Sequence, residues 1–292
     1  MDCLYCSHQT KIFVKTKDIN RKIDNNLFRY NKCNQCGTVQ LENIPSDLSF
    51  YYPKNYYGPT PETEEAIKSA AEIIEAYKID LVKSYCKNIK TILEIGPSMG
   101  GFSILAKYNG YDIKAIEMSK DCSNFLNKVA GIPTIHTKDE IESIKQHAPV
   151  DLIAMWHVIE HLKNPINLLK ETIKKILPNG YILIAAPNPD SLQFRILRSK
   201  WVHLDAPRHV NLIPMGILIK FFEQNGFKTI LSTTNDRGSL AWNDFGWEYS
   251  IKNILGDRLS KNISQWTQSF FNKQEKKDGN GSCFTLIVQK TN

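Results

Sequence analysis

Three groups of residues in this 292-residue chain have types and spacings that suit chemistry. The first is His157-Val-Ile-Glu160-His161, a carboxylate set between two imidazoles. In a helix beginning at His157 these positions fall at i, i+3 and i+4 and share one face. Such a face can take a proton from a hydroxyl near pH 7 or hold a cation. The second is Trp201-Val-His203-Leu-Asp205-Ala-Pro207-Arg208-His209. Here His209 is the candidate general base or orienting residue, because a solvent-facing lysine would be protonated and unable to accept. The third is a pair of knuckles, Cys3-x-x-Cys6 and Cys33-x-x-Cys36, separated by 26 residues. Four thiolates brought together in this way suit tetrahedral zinc. Redox use of C-x-x-C instead needs one motif at a helix N-terminus. Cys3, Cys6, Cys33 and Cys36 are therefore assigned to structural zinc, while Cys86, Cys122 and Cys283 have no spacing partners and read as buried hydrophobes.

These groups need elements to position them, and the clearest is the run Thr91-Ile-Leu-Glu94-Ile-Gly96-Pro-Ser98-Met-Gly100-Gly101. It reads as an apolar strand entering a turn whose glycines let the backbone bend sharply and leave room beside a ligand. A second apolar run, Tyr111 to Ile116, ends in Glu117, 23 residues after Glu94. That is the spacing at which a βαβ unit offers a carboxylate to ribose hydroxyls. The pattern is not the dinucleotide G-x-G-x-x-G, in which a helix N-terminus meets a pyrophosphate.

Further strands are expected at Pro133–His136, Val150–Trp156, Gly180–Pro187, Lys228–Thr234 and Cys283–Lys290, with the first strand over Ile89–Ile95 and the second over Asp112–Glu117. A helix is expected from Glu62 to Tyr85. Since ligands bind at the carboxyl ends of strands in an open α/β sheet, a strand ending at Trp156 and His157 delivers both side chains to the cofactor crevice. Residues 45–61, with four prolines and four tyrosines, cannot form a regular helix and read as a connector. The aromatic segment 237–280 reads as a helical cap or an interface, which would suit a homodimer.

A hydrophobic content of 42% can bury one full α/β core with residues left for a small module. No apolar run approaches the roughly 18–20 residues of a membrane helix, and the start of the chain lacks a signal sequence, so a soluble cytoplasmic protein without membrane insertion is expected. A net charge of +7 permits an anionic substrate without demanding one.

Glu94-x-Gly96-x-Ser98-x-Gly100 resembles the E/D-x-G-x-G-x-G motif of class I S-adenosylmethionine-dependent methyltransferases, with Ser98 at the usual middle glycine. The resemblance covers about residues 62–292 and implies an α/β fold with a seven-stranded Rossmann-like sheet, preceded by a small N-terminal zinc-ribbon module. It implies S-adenosylmethionine as cofactor, with Glu94, Gly96, Ser98 and Gly100 shaping the turn. Glu117 would lie on the ribose, Asp139 on the adenine amino group, and Trp156 at the crevice. The stretch after the fourth strand resembles that of methyltransferases related to ubiquinone-biosynthesis O-methyltransferases and to a wider group acting on sugars, lipids and small metabolites. The run from Trp201 to His209 resembles the W-x₃-D-x-P-R-H run that covers their acceptor site. H-x-x-E-H also occurs in one group of zinc peptidases, but this motif sits inside an ordered strand and helix alternation. Some relatives, including small-RNA 2′-O-methyltransferases, hold a divalent metal with E-x-x-E-H and a distant histidine. In this chain that places a candidate catalytic metal at His157, Glu160 and His161.

The resulting expectation is a zinc ribbon (1–44), a connector (45–61) and a methyltransferase domain (62–292), with His157, Glu160, His161 and His209 as catalytic candidates. The acceptor is expected to be an oxygen of a sugar or other glycan, a glycolipid precursor or a small metabolite. Two alternatives remain. An RNA methyltransferase would use the basic ribbon residues Lys11, Lys15, Lys17, Arg21, Lys22 and Arg29 to grip nucleic acid. A non-enzymatic scaffold would follow if Ser98 marks a decayed cofactor site.

Overall fold

A computed structural model of the chain describes residues 1–53, 56, 63–277 and 279–291. Its strands are β1 (Thr10–Thr16), β2 (Phe28–Cys33), β3 (Val39–Leu41), β4 (Thr91–Ile95), β5 (Asp112–Glu117), β6 (Thr134–His136), β7 (Val150–Trp156), β8 (Ile176–Pro187), β9 (Asn211–Leu212), β10 (Phe227–Thr233) and β11 (Cys283–Lys290). Its α-helices are α1 (Glu64–Ile74), α2 (Ala76–Tyr85), α3 (Gly101–Tyr108), α4 (Lys120–Lys128), α5 (Glu140–Gln146), α6 (Pro165–Lys174), α7 (Leu192–Leu197), α8 (Met215–Gln224), α9 (Arg237–Leu255) and α10 (Asp257–Glu275).

Seven strands form one sheet in the order β10-β11-β8-β7-β4-β5-β6, the α/β arrangement expected from the strand and helix alternation. From β8 to β6 the pairs are parallel, and β11 runs antiparallel to both β8 and β10. The central strands are apolar along both faces, as a sheet covered by helices on each side requires: Ile92, Leu93, Ile95, Leu152, Ile153 and Met155 are all buried. The chain steps outward from β4 to β5 and β6, then returns to place β7 on the other side of β4. This reversal opens a crevice beyond the carboxyl ends of β4 and β7, where Gly96 and His157 follow their strands.

Two local expectations are corrected. The helix predicted over 62–85 divides at Glu75 into α1 and α2, with Glu62 outside the described residues. No α-helix begins at His157. A 3₁₀ turn covers Ile159–His161, and the next α-helix starts only at Pro165. The reason is local: a residue that precedes proline is pushed out of the helical region, and Asn164 sits at φ −128° and ψ 63°. In the stretch 45–61, the described part holds a 3₁₀ turn over Leu48–Tyr51, capped by Asp47.

The N-terminal strands build a second, antiparallel sheet whose fourth strand is β9, so that Val39 pairs with Leu212 and Gln40 with Asn211. Its core joins Val14, Tyr30 and Leu41 to Phe194, Trp201 and Leu204. The sheet that starts at residue 10 is thus completed by chain from beyond residue 190. The aromatic segment forms a hairpin of α9 and α10, where Trp247 stacks on Phe271 and donates its indole N–H to Glu275. On α10, Trp266 and Phe270 face solvent. No helix among the described residues is long and apolar enough to cross a membrane.

Candidate active site

The turn after β4 is tight because nothing larger than hydrogen fits. A Cβ on Gly96, at φ +66°, would lie 2.9 Å from Val158 Cγ2, and one on Gly100, at φ +80°, would lie 2.3 Å from Leu126 Cδ2. Between them Ser98 also occupies the left-handed region, at φ +55°. That conformation explains why glycine is favoured there, and a serine holds it at some cost. Glu94 is buried beneath the turn, accepts a hydrogen bond from the Ser103 hydroxyl, and is pushed up to about 7 by burial.

Glu117 ends β5 with its carboxylate buried. Oε2 accepts the Ser98 amide at 2.9 Å and Oε1 the Ser119 amide at 2.6 Å. Burial still holds its pKa above the usual carboxylate range, against these donors. Glu117, Gly96, Ser98 and Trp156 line one cavity of about 150 Å³ together with Tyr52, Met118 and Glu140. The indole N–H of Trp156 is buried there without a protein partner. Its ring packs against Phe102 and lies 4.9 Å from the Lys78 ammonium. Asp139, the residue expected at the adenine, is not among the lining groups. It caps α5, accepting the Glu142 amide at 3.0 Å, and the neighbouring Glu140 faces the cavity. Glu94 and Gly100 stand behind the turn rather than in its lining.

A second cavity, of about 510 Å³, lies alongside, and the two share Tyr56, His157 and His161. Its walls come from the Val202–His209 loop, from Trp242, Phe245 and Tyr249 on α9, and from Asn20 and Arg21 of the N-terminal module. No motif signalled the contributions of Tyr52, Tyr56, Asn20 and α9; only the aromatic content of the connector and of 237–280 pointed toward two of these segments.

Three of the four catalytic candidates converge. Glu160, His161 and His209 each offer a ligand atom, all within 4.8 Å of one another. Both Glu160 oxygens are buried and accept no hydrogen bond in the structure, and burial raises the carboxyl pKa. His161 Nδ1 lies 3.1 Å from the Arg208 carbonyl and 2.9 Å from the Tyr52 hydroxyl, and His209 Nδ1 lies 2.8 Å from the His203 carbonyl. A carbonyl oxygen can only accept, so each Nδ1 carries a proton. His157, at φ +56°, stands beside this group, with Nδ1 3.4 Å from Glu160 Oε1 and its ring edge on Trp242. The third group beside Glu160 and His161 is thus His209, where the sequence pointed to His157. Burial lowers His157 to about 3 and His161 to about 4, so both are neutral at pH 7.

The loop carrying His209 is fixed by Arg208. This buried guanidinium donates to Asp205 (2.7 and 2.9 Å), to Asp18 (2.7 and 3.1 Å) and to the Tyr51 carbonyl. At the far end of the small sheet the four cysteines gather, with Sγ pairs Cys3–Cys36 and Cys6–Cys33 each at 3.5 Å and all four within 4.8 Å.

The chain is similar to a S-adenosylmethionine-dependent methyltransferase from Archaeoglobus fulgidus, with a TM-score of 0.51 at 19% identity over 84% of this chain and 100% of that one. It is also similar to a protein from Galdieria sulphuraria described as a candidate sarcosine dimethylglycine methyltransferase, with a TM-score of 0.51 at 14% identity over 83% of this chain and 97% of that one. These likenesses concern the fold. No curated protein matches the chain. A family model described as a methyltransferase domain matches residues 68–232, more than half of the chain and every strand from β4 through β9. The chain therefore belongs to that family and is an S-adenosylmethionine-dependent methyltransferase.

Proposed function

We propose that the chain methylates an oxygen of a sugar, a glycolipid precursor or another small metabolite. Its parts would be an N-terminal zinc module (1–44), a connector (45–61) and a catalytic domain (62–292). The observation that carries this reading is the junction of the two cavities at Tyr56, His157 and His161, with the unpartnered Glu160 on the side of the larger one.

The residues of the smaller cavity fit the cofactor. Gly96 packs directly against Val158 and presents only backbone to the cavity, Glu117 keeps an unused lone pair on each oxygen, and the Trp156 indole N–H lacks a partner. Glu117 would hold the ribose, the Gly96–Ser98 turn the methionine part, and Met118 with Glu140 the base. S-adenosylmethionine supplies a methyl group already activated by its sulfonium. What remains for the protein is to align the acceptor, exclude water and remove one proton. His161 Nε2 and His209 Nε2 would take that proton, and Glu160 would steady the resulting imidazolium. The enclosed wall formed by Trp242 and Phe245 favours a small acceptor over an RNA strand.

A second reading adds a divalent cation held by Glu160, His161 and His209, motivated by the convergence of one ligand atom from each within 4.8 Å and by the unpartnered Glu160 oxygens. Cobalt titration followed by visible absorption, in wild type and Glu160→Gln, would detect it. The four cysteines would hold zinc, since tetrahedral Zn–S bonds of about 2.3 Å imply S···S separations of about 3.8 Å, near those in the cluster. The test of function is methyl-labelled S-adenosylmethionine incubated with the protein and fractionated host extract. Label in sugar, lipid or small-metabolite fractions supports the proposal, and label confined to RNA overturns it.

A further inference from the structure

The larger cavity is electrically polarised, and the positive end comes from the N-terminal module. At its deep end lie the unpartnered Glu160 carboxylate and the imidazoles of His161 and His209. Among the described lining residues, Arg21 is the sole lysine or arginine. It stands at the exposed rim, its guanidinium 4.9 Å above the Tyr56 ring. Among the described residues no carboxylate lies within 4 Å of it.

Its position is not that of a loosely tethered surface side chain. The turn that carries Arg21 wraps around Asp18, whose carboxylate accepts the Arg21 amide at 3.0 Å and the Ile23 amide at 3.2 Å. The same carboxylate receives the buried Arg208. Next to Arg21, Asn20 donates to the Val202 carbonyl at 2.8 Å and to Asp205. The 18–22 turn is therefore bolted to the loop that positions His209, and the distance from rim to reacting groups is set by buried, charge-assisted contacts. Between the two ends runs the aromatic wall of Trp242, Phe245 and Tyr249, with Phe245 and Tyr249 stacked 4.2 Å apart.

We infer that the acceptor carries an oxyanion, a phosphate or a carboxylate, which Arg21 holds at the rim while the hydroxyl to be methylated lies at Glu160, His161 and His209. The inference rests on the acceptor assignment of this cavity. A guanidinium offers paired N–H donors that match either oxyanion. The deep end contains the Glu160 carboxylate and would repel an anion, so the ligand can enter in only one sense. The N-terminal module is by this reading part of the specificity machinery of the enzyme.

The experiment is calorimetric titration of the full-length protein, first with S-adenosylhomocysteine and then, at saturation, with glucose 1-phosphate, glucuronate, inorganic phosphate and uncharged glucose. At least one oxyanion is expected to bind at least tenfold more tightly than glucose. Arg21→Gln should remove that preference by tenfold or more, and Arg21→Lys should retain part of it. The two sugar acids separate a phosphate from a carboxylate as the source of the oxyanion. The inference is overturned if no oxyanion binds, or if the preference survives in Arg21→Gln. Failure of S-adenosylhomocysteine to bind would instead strike at the cofactor cavity and thus at the proposed function. Unchanged S-adenosylhomocysteine affinity in both variants verifies that the fold is intact.

Discussion

Replacing Glu117 tests the cofactor cavity at its most specific point. The carboxylate is buried, and each oxygen already accepts one backbone amide, from Ser98 and from Ser119. A carboxylate has about four lone-pair sites, so roughly one per oxygen remains for the two ribose hydroxyls. A hydrogen bond to a charged group is worth about 1.5–3 kcal/mol, and two give about 3–6 kcal/mol. At 1.4 kcal/mol per decade, Glu117→Ala should weaken S-adenosylhomocysteine binding by about 10²- to 10⁴-fold. Glu117→Gln should fall between, because it keeps one acceptor oxygen but turns an amide NH₂ toward a backbone donor. Because burial raises the Glu117 pKa, the measurement belongs at pH 8, where the group is ionised, and wild-type affinity should decline as the pH falls toward the carboxylate range. Calorimetric titration with S-adenosylhomocysteine gives the affinities, and circular dichroism checks the fold. Binding by a folded Glu117→Ala variant within threefold of wild type would refute the assignment of the ribose to this residue.

Ser98→Gly should relieve the left-handed backbone strain and raise stability by up to about 1 kcal/mol with cofactor affinity kept within threefold, measured by urea unfolding and calorimetry; lost affinity would show that the serine side chain itself is needed. Because burial holds His157 near 3 and His161 near 4, the NMR resonances of these two imidazoles should not titrate between pH 8 and 5.5, and a midpoint at 6.5 for either would contradict neutral buried imidazoles. The same groups bind protons more readily in the unfolded chain, so Tm should decline as pH drops from 6.5 toward 4. Asp18→Asn leaves Arg208 half-paired in the interior and should cost about 3–5 kcal/mol. It should also lower kcat far more than S-adenosylhomocysteine affinity, since Arg208 adjoins His209 and not the smaller cavity. Asp205, lowered to about 2 by Arg208, contributes stability above the ordinary aspartate pKa that is lost only as pH falls through that value.

The sheet was legible because its strands are continuous apolar runs between turn signals. Asp112–Glu117, Val150–Trp156 and Cys283–Lys290 appear with the expected bounds. Gly96, Ser98 and Glu117 could be grouped from sequence because a βαβ unit fixes their separation, and the structure places all three on one cavity. The face shared by His157, Glu160 and His161 was misjudged in form. The periodicity assumed a helix, whereas Pro165 forbids one from starting early and a left-handed His157 takes its place. Asp139 was placed by analogy with other chains; one of its oxygens caps the start of α5, and Glu140 rather than Asp139 lines the cavity. The contributions of Asn20 and Arg21 were hidden because they depend on pairing across more than 180 residues, which no local pattern records.

That long-range pairing decides what the N-terminal module is for. A ribbon whose role is to grip nucleic acid needs a free basic face and a flexible attachment. Here β3 pairs with β9, Tyr30 donates its hydroxyl to the His209 carbonyl at 2.7 Å, and Asp18 neutralises Arg208 beneath the acceptor loop. Tyr30 and Trp201 are fully buried in the core that the two parts share. Deleting the module would expose that core and strand a charged guanidinium without one of its two carboxylates, a loss larger than the marginal stability of most domains can absorb. With zinc bound as proposed, Cys33 and Cys36 would be held at the hairpin between β2 and β3, the edge on which β9 docks just after His209. A module that is tied to the loop carrying the candidate base, and that supplies Arg21 as the lysine or arginine among the described lining residues of the larger cavity, would act as part of the proposed site.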